Sequence, residues 1–224
     1  MEKLARILLI LFGSVAFCAS AVGGTVRLEF NGSYGDGDAP LGDAPWLIAT
    51  FEDLGADRVL LTIENLLSTE SEHVKQIDFN LNPIFDVDNL VIEQRDGGTE
   101  TKRMVAIEDA FNAGSAKGFD IELEWKNGKK RRFEGGSGEI VQFEFSGISG
   151  LVAESFLFLN AGNEDRGDEW KKFFAAAHIG GIGDDDDSAW IAPTGIPLPA
   201  SALLICAGLV LVPPVRRWFG HSMS

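Results

Sequence analysis

The chain predicts an all-β fold, an antiparallel β-sandwich with jelly-roll-like connections, and three observations carry that expectation. Apolar residues recur at every second position in short runs, the pattern of strands with one buried face. The runs are separated by clusters of Gly, Asp, Asn and Pro, the residues that build turns. Sixteen Phe stand against a single Tyr, a composition suited to two sheets packed through dry inner faces. A β-barrel is the alternative closure of the same strands.

The strands are expected, in order, at Val26-Leu28-Phe30, Trp46 to Phe51, Val59 to Glu64, Ile77-Phe79-Leu81, Leu90 to Glu93, Phe119-Ile121-Leu123-Trp125, Ile140 to Phe145, Phe156 to Leu159 and Phe173 to Ile179. Between Trp125 and Lys129 the pair Asn127-Gly128 predicts a hairpin tip, because both residues tolerate the positive φ of a tight turn. No sustained 3.6-residue periodicity runs between Val22 and Gly195. Only Ile107 to Ala113 and Glu169 to Ala176 offer a turn or two of helix.

The two ends differ from this body. Lys3 and Arg6 precede an apolar stretch that closes on Cys18-Ala19-Ser20-Ala21, the order of a secretion signal with Ala19 and Ala21 at the cleavage site. Residues 1–21 are thus expected to be a signal peptide, residues 22–192 an acidic β domain, and residues 193–224 a sorting and anchoring tail. In the tail, Ile196-Pro197-Leu198-Pro199-Ala200 is followed by an apolar segment to Val212 and then by Arg216-Arg217. A helix over 200–212 would rise about 20 Å, short of the roughly 30 Å hydrocarbon core, so it suits a segment held briefly in a membrane with its arginines inside.

That order of motif, apolar helix and basic pair resembles a PEP-CTERM sorting domain of the VPLPA variety. The body is similar to those of small PEP-CTERM proteins of unassigned activity, through Ala44-Pro45-Trp46-Leu47-Ile48-Ala49-Thr50-Phe51, Asn80-Leu81-Asn82-Pro83, Gly118-Phe119-Asp120-Ile121, Ala175-Ala176-Ala177-His178-Ile179 and Ser188-Ala189-Trp190-Ile191. The resemblance implies export and a transient hold in the inner membrane through the tail helix. It also implies processing by an exosortase-type membrane protease and a place at the cell surface or in an extracellular polysaccharide matrix. It implies no reaction.

Composition bounds the chemistry. Between Val22 and Gly195 there are 15 basic and 33 acidic residues, a net charge near −18. Such a surface excludes sequence-independent nucleic-acid binding, which needs cations to neutralise phosphates. The two cysteines, Cys18 and Cys206, lie in the signal and the tail, so the domain has no disulfide and depends on its core. The chain has three histidines, of which His178 reads as a structural strand residue. No G-x-S-x-G elbow or P-loop is present.

Two acidic clusters are candidates for calcium, a hard cation that takes carboxylate and carbonyl oxygens: Asp184, Asp185, Asp186 and Asp187, and Asp36, Asp38 and Asp43. Neither has EF-hand spacing. Against the acidic background Lys126 and Lys129-Lys130-Arg131-Arg132 form a basic patch, suited to guarding a sheet edge or holding an anionic polymer. The sequence therefore leaves a non-enzymatic surface or matrix protein as the first expectation. A carbohydrate-active enzyme, or a calcium-dependent glycan-binding module on the same fold, is the second. A cleft with paired acids and aromatic platforms would distinguish them.

Overall fold

The computed structural model describes residues 24–95, 98–128, 131–162, 172–184 and 186–195. The signal segment with Ala19 and Ala21 and the tail from Ile196, including Ala200 to Val212 and Arg216-Arg217, lie outside the described residues. Among the described residues no helix is long and apolar enough to cross a membrane.

Among the described residues eleven strands form the fold: β1 (Thr25–Tyr34), β2 (Leu47–Gly55), β3 (Arg58–Asn65), β4 (His73–Phe79), β5 (Val91–Gln94), β6 (Thr101–Ala113), β7 (Ala116–Trp125), β8 (Phe133–Glu134), β9 (Ile140–Ser146), β10 (Ala175–Ile182) and β11 (Asp187–Pro193). The fold is all-β and antiparallel, as the alternation predicts. Its closure differs from the expected pair of separate sheets. All strands belong to one sheet in the order β5-β9-β3-β2-β1-β11-β10-β4-β7-β6, with β8 paired to β4 beyond the end of β7. That sheet is rolled nearly into a barrel.

Rolling follows from the side-chain pattern. One apolar face on a single wide sheet has nothing to cover it except the sheet itself. Val26, Phe51, Leu61 and Phe143 line up across β1, β2, β3 and β9, and Ala177, Ile191, Ile77 and Leu123 across the opposite wall. All eight are fully buried. Small residues on β10, Ala175 and Ala177, leave room for the rings they face, so the interior interdigitates. Phe51 sits at its centre, stacked on Phe156 at 4.5 Å and edge-on to Phe79 at 5.3 Å, while Phe145 stacks on Phe156 at 4.9 Å.

The seam between the two terminal strands is bridged by one side chain. Gln94 of β5 accepts from the Thr101 amide at 2.9 Å and its hydroxyl at 3.0 Å, and donates to the Thr99 carbonyl at 3.1 Å. These bonds replace part of a strand ladder at an edge that would otherwise be open.

Several local expectations are corrected. Ile107 to Ala113 is strand, in β6, and the stretch lacks alternation because it bulges: between the pairs Ala106↔Ile121 and Phe111↔Phe119 the four residues 107–110 face Asp120 alone. Phe156 to Leu159 is no strand, since a 3-10 turn over Ala153–Phe156 instead drives Phe156 into the core. Residues 172–174 are irregular and lead into β10, with no helix among the described part of Glu169 to Ala176. Asn127-Gly128 joins no paired strands, because β8 beyond it pairs with β4 and not with β7. The tight turn with positive φ at both positions is at Ala56 (52°) and Asp57 (58°), between β2 and β3.

Phe156 to Ala removes a fully buried ring from the centre of the aromatic stack and is expected to cost about 3–5 kcal/mol. Ile84 to Ala, at a side chain 77% exposed, is expected to change stability by under about 0.5 kcal/mol. Urea denaturation of the two variants checks the difference.

Candidate functional site

The functional features sit on the outer face, where β1, β11, β10, β4, β7 and β6 lie side by side. Register places one row across all six strands: Tyr34, Trp190, His178, Gln76, Glu124 and Arg103. Tyr34 reaches this face through a bulge. Val26, Leu28 and Phe30 point into the core, and unbroken alternation would send Tyr34 the same way, but the register shifts between Phe30 and Gly32. One extra residue exchanges the faces of everything after it. Asn31 fixes the shift, its Oδ1 accepting from the Thr194 amide at 3.0 Å and hydroxyl at 2.7 Å.

The β6–β7 hairpin covers part of this face. Its tip carries Phe111, Ala113, Ala116 and Phe119, which bury against Ala176 of β10 as a second small core, with Tyr34, Phe173 and Trp190 partly buried around it. Tyr34 Oη donates to the Ala113 carbonyl at 3.1 Å. Gly114 lies so close to the indole that a Cβ there would come within 2.8 Å of Trp190 Cδ1. Asn160 ties the tip to the chain entering β10: its Nδ2 donates to the Lys117 carbonyl at 2.6 Å and its Oδ1 accepts from the Phe173 amide at 2.7 Å.

Between the tip, the end of β1 and Phe173 opens a cavity of about 700 Å³, lined by Ser33, Tyr34, Asp36, Ser115, Phe173 and Trp190 with Gly35 and Gly114. Its volume falls in the range of small-ligand sites. Tyr34 and Phe173 pack at 4.6 Å, Tyr34 and Trp190 at 6.5 Å, and Trp190 is stacked on His178 at 4.7 Å with the rings 10° apart. Burial pushes His178 down to about 4, with the Lys75 and His73 charges acting in the same direction, so the stacked imidazole is neutral at physiological pH.

Behind the row lies a buried carboxyl. Asp78 stands on β4 between Ala176 and Glu122 in the next rung and is inaccessible to solvent. Burial raises it to about 8; Gln76, whose Nε2 lies 2.9 Å from both oxygens, opposes the shift and the Glu122 charge adds to it. Arg103 pairs with Glu122 at 3.4 Å and covers the Phe111 ring at 5.5 Å. Burial, with the Asp78 charge second, also raises the Tyr34 phenol.

A smaller cleft of about 190 Å³ contains Glu108, Asp109 and Asp120 with Phe85 and Phe158. Its central acid is engaged by backbone: Asp120 accepts from the Asp109 amide and from the Leu81 amide, each at 2.9 Å. Burial raises its pKa and those two bonds oppose the rise. Asp109 holds φ of +50° at the bulge.

The acids singled out from the sequence fall elsewhere. Asp36 is on the cavity rim, Asp38 and Asp43 are exposed in the following loop, and Asp184, Asp186 and Asp187 are exposed at the β10–β11 turn. Asp185 lies outside the described residues. The two clusters approach each other, since a Cβ on Gly37 would fall 2.1 Å from the Ser188 carbonyl oxygen. Among the described residues no group of three or more His, Cys, Asp or Glu is gathered for a metal ion. In the basic patch, Arg132 is mostly buried beside Glu134 at 3.6 Å and within 3.3 Å of His73, while Arg131 is exposed. Lys129 and Lys130 lie outside the described residues.

Sequence reasoning missed Tyr34, Phe173 and Asp78 as site residues. Its one available signal was that Tyr34 is the chain's single tyrosine. Comparison of the chain with protein-family models, with curated proteins and with solved structures finds no match.

The pH dependence of stability tests the buried carboxyl. A folded pKa raised above the unfolded one means that the folded state holds the proton. The contribution is complete below about pH 4 and is lost as pH rises toward 8. His178 runs the other way, its contribution being lost as pH falls below about 6.5 toward 4. Between pH 7 and 8, where His178 is neutral in both states, unfolding free energy is expected to fall by up to about 1.4 kcal/mol per pH unit. Asp78→Asn should flatten that interval. Chemical denaturation across the range measures both slopes.

Proposed function

We propose that this is an exported, non-enzymatic protein of the cell surface or extracellular matrix, whose folded body works by binding and whose tail is processed by an exosortase-type protease. The observation that carries the binding role is the 700 Å³ cavity of the outer face, with three aromatic side chains and a polar rim. Among the described residues that line it Asp36 is the single acid, and two further acids are structural: Asp78 is inaccessible to solvent and holds Gln76, and Asp120 has both oxygens committed to backbone amides. A hydrolytic pair needs two carboxyl groups free to face a substrate across about 5 to 10 Å.

The export and sorting part of the proposal rests on the tail sequence, in which Pro197-Leu198-Pro199 precedes an apolar stretch too short for a stable span and Arg216-Arg217 follows it. A weak span is suited to removal, because the protein leaves the bilayer once the motif is cut. A disulfide-free acidic body suits the destination, since its charge keeps copies apart in solution.

Replacing Pro197, Leu198 and Pro199 by alanine is expected to trap the full-length chain in the inner membrane as an unprocessed species, detected by intact mass and fractionation. A variant of unchanged mass and location would make the tail a passive anchor.

A further inference from the structure

We infer that the outer-face cavity is a saccharide site for uncharged sugar rings, the pyranose units of a neutral polysaccharide, and that Asp36 with Ser33 and Ser115 orients them. The inference rests on the reading of the body as a binding module and supplies its ligand class.

The lining chemistry selects the class. Tyr34, Phe173 and Trp190 are each partly exposed and are grouped within one opening, which suits a ligand with extended C–H faces, because rings of this kind pair apolar area with a polar edge. The rim then supplies two hydroxyls that both donate and accept, from Ser33 and Ser115, and one carboxylate that only accepts, from Asp36. A sugar diol, with adjacent O–H groups that donate and accept, satisfies this set.

Charge narrows it further. Among the described residues the lining contains a carboxylate and no lysine, arginine or histidine, and the chain carries a net charge of −15. A uronate or sulfated sugar would bring a second anion to a rim whose described residues carry an acid and no cation, which is unfavourable. Two glycines keep the opening wide. Gly35 has φ of +94° and nothing within 4 Å of a would-be Cβ, and Gly114 presses its backbone directly against the indole. A side chain at either place would enter the space over the rings or push the hairpin tip off them.

The test uses the full chain in mild detergent, titrated by calorimetry with neutral hexasaccharides (cello-, manno- and xylo-), with hexagalacturonate and with choline, alongside co-sedimentation with matrix polysaccharide from the producing cells. The inference expects binding of at least one neutral hexasaccharide, and at least tenfold weaker binding of hexagalacturonate and choline. It also expects at least a tenfold loss in Trp190→Ala. Asp36→Ala, at an exposed rim position that touches neither core, should weaken the same ligand severalfold with the melting temperature unchanged, which separates loss of the site from loss of the fold. Tight binding of hexagalacturonate or choline, or neutral binding unaffected by both substitutions, would overturn the saccharide site. If the protein co-sediments with the matrix yet no neutral hexasaccharide binds, the ligand class is wrong and the binding role stands. If nothing binds and nothing co-sediments, both fail.

Discussion

The structure depends most on the carboxylate of Asp120. Its two oxygens hold the amides of Asp109, at the bulge of β6, and of Leu81, just past the end of β4. This is where the long hairpin stops running beside β4 and turns across the outer face of the barrel. The turn needs four residues of β6 opposite one of β7 and a non-glycine residue at positive φ, a conformation that persists only where its surroundings fix it. Removal of the carboxylate would leave two amides unpaired and the bend unsupported. Everything at the candidate site follows from that bend: the second small core, the roof over Asp78 and one wall of the cavity.

The barrel supplies the other half of the arrangement. Its interior is filled by rings and small side chains, with Phe156 inserted from a 3-10 turn. The candidate site lies on the outer face. There, the Asn31 bulge delivers Tyr34 and the hairpin tip delivers Gly114 to Trp190. The two bulges lie 78 residues apart between Asn31 and Asp109, yet each redirects a strand toward the same indole. Both are pinned by an Asx side chain accepting backbone amides, which is the usual way a local register shift is held in place.

Much of the fold is written in the alternation. Val59 to Glu64, Ile140 to Phe145 and Phe119 to Trp125 show their inner faces directly, because each keeps a two-residue period along a half-buried strand. The period fails where the backbone does. Ile107 to Ala113 looks helical only because the bulge breaks its alternation, and Asn127-Gly128 looks like a hairpin tip because a dipeptide says nothing about which strand the following segment will meet. Whether one sheet or two encloses the core is a question of long-range pairing between β1 and β11, at opposite ends of the domain, and no local pattern encodes it. The site was less legible still. Asp78 occupies an outward position between Ile77 and Phe79, where an acid normally meets water, and is buried only because a hairpin from elsewhere in the chain lies over it.

The electrostatic character of the outer face agrees with this account. Beside the cavity the outer face carries a carboxyl that keeps its proton near neutrality, a neutral stacked imidazole and an arginine paired with Glu122, while Asp36 on the rim is the acid that a ligand meets. The central claim is that Trp190 lies at the point of ligand contact. It is tested most directly by recording the indole N–H resonances of the full chain while a neutral hexasaccharide is added. The account predicts that the Trp190 signal shifts with saturation while those of Trp46 and Trp125, buried in the core, stay fixed. A saturating ligand that leaves Trp190 unmoved would contradict it.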